Sequence, residues 1–140
     1  MAELIRVVDY FTTVVHDRPG EGSWILSRIQ EAGVTLAGAC GFPLGRGRAQ
    51  LSLIPMEPGA LVAAAEACEF GLSRAKRAFL IQGEIRPGAV AGIYHRLERK
   101  AINIVAAQAV SAGEGRFGMM LWVKPAEVDR AARALGIERS

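Results

Sequence analysis

Two tripeptides, Arg18-Pro19-Gly20 and Arg86-Pro87-Gly88, each follow a β-branched, apolar stretch and precede an apolar pattern with helical spacing. Proline fixes φ and glycine removes the side chain, so a ligand can approach the main chain closely at such a turn. The N-terminus of the following helix offers unsatisfied N–H groups and a partial positive charge, which suit a carboxylate. Asp17, just before the first tripeptide, can take an ammonium group. These are the parts of a site for an amino acid. The same Pro-Gly pair is also ordinary turn chemistry before a helix, and the residues alone leave both readings open.

Other reactive residues carry less. His16 beside Asp17 has no nucleophile pattern nearby, and adjacent strand residues point to opposite faces. His95 follows Tyr94 on a helical stretch and reads as exposed. Cys40 and Cys68 are too few for a disulfide framework or a zinc site and lack histidines at ligand spacing. Cys68 reads as a small core residue. No catalytic residue, metal or cofactor is expected.

The chain has 140 residues, 51% hydrophobic and 22% charged, a globular profile that excludes a disordered chain. It contains no run of roughly 18 apolar residues, so no membrane span is expected. The start, Met1-Ala2-Glu3-Leu4-Ile5-Arg6, lacks the apolar run and small-residue cleavage site of a signal peptide. With so few cysteines, a reducing cytoplasm is the expected location. The net charge of +3 is mild, and its arginines are scattered except at Arg74-Ala75-Lys76-Arg77. A nucleic-acid domain normally gathers its charge on one stripe. Arg116-Phe117-Gly118-Met119-Met120-Leu121-Trp122 is only faintly similar to the aromatic strand of an RNA-recognition motif and lacks its spacing. No nucleic-acid partner is expected.

The elements that must position the two tripeptides are themselves duplicated. Aligning Arg18-Pro19-Gly20 on Arg86-Pro87-Gly88 without a gap pairs Phe11 with Phe79, Ile25 with Ile93 and Arg28 with Arg96. Gly45, Gly47 and Arg48 fall on Gly113, Gly115 and Arg116, and Leu53 on Leu121. Turn residues and apolar positions stay in register together, which marks two units, at residues 4–72 and 73–140. In the first, Val7–Val15 reads as a strand, and Trp24, Ile25, Leu26 and Ile29 as a helix with Pro19 in its first turn. Val34–Phe42 and Ala49–Ile54 form a hairpin around Gly45-Arg46-Gly47, and Pro58 starts a second helix. The second unit repeats this with Phe79–Ile85, a helix through Val90, Ile93 and Leu97, strands Ile102–Val110 and Phe117–Val123, and a helix Val128–Leu135.

The order β-α-β-β-α leads to the ferredoxin-like βαββαβ plan in an α+β protein, with antiparallel sheets and helices on one face. A fourth strand for unit one is expected from Leu72 to Arg77, continuing into Phe79–Ile85. Unit two has only Gly136-Ile137-Glu138-Arg139 left for its own. The sheet face away from the helices must be solvated or paired.

Asp17-Arg18-Pro19-Gly20, followed by an apolar helix and Ala32-Gly33-Val34-Thr35-Leu36, resembles the opening of an ACT domain. Arg86-Pro87-Gly88-Ala89-Val90, with Ala101-Ile102-Asn103-Ile104, is similar. The resemblance spans nearly the whole chain, as two tandem ACT-type units without a catalytic domain. It implies a non-enzymatic, allosteric sensor for an amino acid or similar small ligand, acting as a homo-oligomer (a dimer) on a partner such as a metabolic enzyme. It also implies ligand contacts at Asp17, Arg18, Pro19, Gly20 and Thr35 in unit one, and at Arg86, Pro87, Gly88 and Asn103 in unit two. Ile85 stands where unit one has Asp17. The alternative is a ligand-free interaction subunit that dimerises through its sheets.

Overall fold

The computed structural model describes residues 3–137. Six strands run along the described chain: β1 (Leu4–His16), β2 (Leu36–Gly45), β3 (Arg48–Pro55), β4 (Lys76–Glu84), β5 (Ile104–Gly113) and β6 (Arg116–Val123). The helices are α1 (Glu21–Glu31), α2 (Pro58–Cys68), α3 (Ala89–Glu98) and α4 (Val128–Ala134), the last preceded by a short 3-10 turn at Pro125–Glu127. The fold is α+β with antiparallel strand pairs, as expected.

The chain divides into two compact units, and each can be taken by itself. The N-terminal unit is Asp9–Lys76; residues 3–8 join residues 77–137 in the C-terminal unit. In the N-terminal unit the strand order is β2-β3-β1, with Phe11 opposite Leu53 and His16 opposite Arg48. Phe11, Leu53, Ile25, Ile29, Leu61 and Ala64 form its core. Phe11 and Leu53 share one face of the sheet, and α1 and α2 both press their apolar stripes against it. In the C-terminal unit the order is β5-β6-β4, and Phe79, Ile81, Met119 and Leu121 meet Ile93 and Leu97 of α3 and Ala131 of α4.

The duplication read from the sequence holds strand by strand. Phe11↔Leu53 through His16↔Arg48 reappears as Phe79↔Leu121 through Glu84↔Arg116. The outer hairpin, Leu36↔Pro55 to Gly45↔Arg48, reappears as Ile104↔Val123 to Gly113↔Arg116, with shifts at matching places. Both hairpins turn through two residues of positive φ, Arg46 and Gly47 in one, Glu114 and Gly115 in the other. That is the twist a two-residue antiparallel loop requires.

The fourth strand differs from expectation in both units. In the N-terminal unit, Gly71 to Ala75 runs beside β1 without regular strand geometry. The Ser73 amide donates to the Thr12 carbonyl (2.9 Å), the Thr12 amide to Ser73 Oγ (2.9 Å), and Thr13 Oγ1 to the Gly71 carbonyl (2.5 Å). The side-chain hydroxyl replaces one ladder bond, which is why the ribbon is irregular. In the C-terminal unit Gly136 and Ile137 form no strand, and Glu138 and Arg139 lie outside the described residues. Its extra strand comes instead from the start of β1, where Ile5 and Val7 pack on the core and Glu3 pairs with Arg96 at 2.6 Å. A chain segment remote in sequence fills the edge.

One smaller expectation also changes. Pro19 and Pro87 precede their helices rather than opening them. Gly20 (φ 93°) and Gly88 (φ 82°) cap α1 and α3 in the left-handed region, where the helix cannot continue through them. On the sheet face away from the helices Ser52, Ile54, Ala78 and Leu80 are buried. Exposed apolar side chains include Val105 and Val110 on β5, Phe42 and Leu44 on β2, and Val14 towards the end of β1. No helix among the described residues is long and apolar enough to cross a membrane.

Candidate functional site

Each strand-to-helix loop is strapped to the turn of its neighbouring hairpin. The Asp17 amide donates to the Gly47 carbonyl at 2.8 Å, and the Ile85 amide to the Gly115 carbonyl at 2.8 Å. The chain then closes a tight turn, with the Glu21 amide on the Arg18 carbonyl (3.4 Å) and the Ala89 amide on the Arg86 carbonyl (3.2 Å). The first helical bonds follow, from Trp24 to Gly20 (2.9 Å) and from Gly92 to Gly88 (2.8 Å). Only glycine occupies this left-handed capping position without strain. Two loops unrelated in detail thus share one backbone, with Asp17, Arg18, Pro19 and Gly20 exposed in the first and Arg86, Pro87 and Gly88 exposed in the second.

Beside the first loop lies a hollow of about 290 Å³, lined by Val14, Val15, His16, Glu21, Trp24, Ile25 and Arg48. The hairpin turn places Arg48 opposite His16, and the first turn of α1 brings in Glu21 and Trp24. Trp24 is 47% exposed, and the Arg28 guanidinium sits 5.4 Å from its ring centroid on a cation–π contact. Glu21 pairs with Arg18 at 3.4 Å. Arg18 is well exposed, so this pair adds little stability.

The second loop is differently furnished. Ala89 stands in place of Glu21, Gly92 in place of Trp24 and Glu84 in place of His16. Arg96, the counterpart of Arg28, has no ring to stack on and bonds Glu3 instead. A separate hollow of about 420 Å³ lies at the other end of α3, lined by Tyr94, Glu98, Ala101, Ile102, Asn103 and Ile104.

No family model matches the chain, and no curated protein matches it in sequence. Its architecture is similar to solved structures. A Bacteroides thetaiotaomicron protein is 14% identical with a TM-score of 0.80, over 94% of this chain and 88% of that one. The regulatory subunit of aspartate kinase from Thermus flavus is 18% identical with a TM-score of 0.62, over 96% and 95%. That of Thermus thermophilus, in its ligand-free form, is 16% identical with a TM-score of 0.60, over 94% and 93%. The fold is that of a tandem ACT-domain protein.

Within each unit the expected contact residues do not all converge. Asp17 follows the end of β1 that pairs with Arg48, whereas the Thr35 carbonyl accepts the Met56 amide at the other end of β3. At about 3.3 Å per residue, the strand from Arg48 to Met56 separates them by roughly 25 Å. Asn103, next to the Ile104↔Val123 pair, stands similarly far from Arg86-Pro87-Gly88 at the Glu84↔Arg116 end. The loops gather Asp17 to Gly20 and Arg86 to Gly88; Thr35 and Asn103 stand apart, both exposed. Arg48, Glu21 and Trp24 line the hollow but are not among the expected contacts. The one signal for Arg48 was its register match with Arg116 beside the hairpin glycines.

Proposed function

We propose that this ACT protein is a non-catalytic regulator that binds an amino acid or similar small ligand at its strand-to-helix loops and acts allosterically on a partner. The carrying observation is the loop itself, built twice on one backbone and opening in the first copy onto a hollow with both charges. Asp17, Arg18, Pro19 and Gly20 are the proposed contacts in the first loop, and Arg86, Pro87 and Gly88 in the second. Thr35 and Asn103 are too far from their own loops to touch the same ligand. They enter this reading through a second copy of the chain, as part of a homodimeric site. The aspartate kinase regulatory subunits of similar fold support an enzyme as the regulated partner. Binding would shift assembly or docking with a coupling of about 1–3 kcal/mol.

Thermal unfolding against a panel of the common amino acids at millimolar concentration tests the reading. A ligand at about 100 times its dissociation constant stabilises the fold by roughly 2.7 kcal/mol, several degrees for a chain of this size. Asp17→Ala is expected to weaken that response. The exposed apolar residues Phe42, Leu44, Val105 and Val110 on the outer strands favour a second reading, a ligand-free interaction subunit. A flat panel from a stably dimeric protein decides for it.

A further inference from the structure

We infer that the hollow beside the first loop is a pocket for an α-amino acid with an uncharged, apolar side chain, held by Arg48, Glu21 and Trp24. The inference rests on the ligand-binding reading above and goes further by naming the chemical class that the first loop takes. At about 290 Å³ the hollow sits at the small end of ligand pockets, a size for a single amino acid. Leucine, methionine and phenylalanine are of that order.

The lining selects by charge and surface together. The Arg48 side chain forms no ion pair or hydrogen bond with any described residue, leaving its guanidinium fork for a carboxylate. Glu21, across the same hollow, offers a carboxylate to an ammonium group, sharing it with the exposed Arg18. The rest of the wall is Val14, Val15, Ile25 and the Trp24 ring, with His16 as the remaining polar group. Arg28 stacked on Trp24 holds the indole in place as a platform for an apolar side chain. A ligand with a second net charge would bury it among these apolar groups without a partner.

The duplicate loop supplies the internal contrast. With Ala89 for Glu21 and Gly92 for Trp24 it lacks the platform and the helix carboxylate, and Glu84 stands opposite Arg116, the counterpart of Arg48, where a ligand carboxylate would dock. One such ligand per chain is therefore expected.

Calorimetric titration of the unaltered protein with leucine, methionine, phenylalanine, serine, aspartate and lysine tests this, alongside tryptophan emission in the Trp122→Phe chain. With Trp122 replaced, Trp24 is the remaining tryptophan of the two. The expected result is saturable binding of an apolar amino acid at one per chain, a change in Trp24 emission, and at least tenfold weaker binding in Arg48→Ala and Glu21→Gln. Should Trp122→Phe fail to fold, the titrations of the unaltered, Arg48→Ala and Glu21→Gln chains decide alone. Apolar binding that both substitutions leave unchanged overturns the pocket. So does tighter binding of serine, aspartate or lysine, although the regulatory reading then survives. If no amino acid binds or raises the unfolding temperature, both readings fail together.

Discussion

Gly20 and Gly88 show how single residues set the geometry of the loops. Both hold a positive φ at the cap of a helix, and a Cβ added at either would meet nothing within 4 Å. Space is not what demands glycine there; the backbone is. Gly20→Ala is therefore expected to cost about 1–2 kcal/mol through left-handed strain alone. Gly59 is the control, because it lies in the first turn of α2, has equally open surroundings and shows no positive φ. Gly59→Ala is expected to stabilise by about 0.5–1 kcal/mol. Urea unfolding of the two variants checks both signs. Arg28 and Arg96 carry a complementary lesson: the same residue at the same register stacks on Trp24 in one unit and pairs with Glu3 in the other. Its role follows from what the neighbouring position provides.

Between β4 and β6 one glycine is tightly enclosed. A Cβ on Gly83 would come within 2.8 Å of the Phe117 ring, so this glycine makes room for an aromatic core residue. Phe117 is 6% exposed and faces the helices, which takes it out of reach of any stacked base. Gly83→Ala is expected to destabilise by about 1–3 kcal/mol through overpacking. Phe117→Leu in the same chain should recover part of that loss, and the difference between the single and double variants in denaturant measures the contact. The helices differ in how they are held. α2 is apolar over most of its length and buries Leu61, Ala64 and Ala65, whereas α4 is shorter and follows a 3-10 turn. The duplicated strands keep their register even where the second helices have diverged.

The organisation of the whole chain turns on residues 3–8. They belong with the C-terminal unit, where Ile5 and Val7 pack on its core. Reading the units as 4–72 and 73–140 follows the repeat, while the contacts follow the sheet edges. Replacing Ile5 and Val7 together by alanine is expected to lower stability by about 2 kcal/mol or more, since both side chains help close a core begun more than half a chain away. Urea unfolding followed by Trp122 emission in the Trp24→Phe chain, with and without the double substitution, reads the effect. A change under 0.5 kcal/mol would show that the core closes without this strand.

The sequence by itself determined the duplication, the α+β class, the order of elements and both loops. Each of these rests on local signals: period-two and helical spacing, Pro-Gly punctuation and glycines at positive φ. Asp17, Gly20, Arg86 and Gly88 were legible as loop residues for the same reason. Only the tertiary structure decided that Thr35 and Asn103 stand at the far ends of their strands. The topology that fixes their distance runs through β3 and β6, and a spacing along the chain does not carry it. Likewise only the fold brings Arg48, from a hairpin turn, across to Glu21 and Trp24 on a helix. Edge strands are the extreme case. A strand signal such as Leu4–Val8 is local, but the core it completes is chosen by hydrogen-bonding edges and apolar surface left open elsewhere in the folded chain.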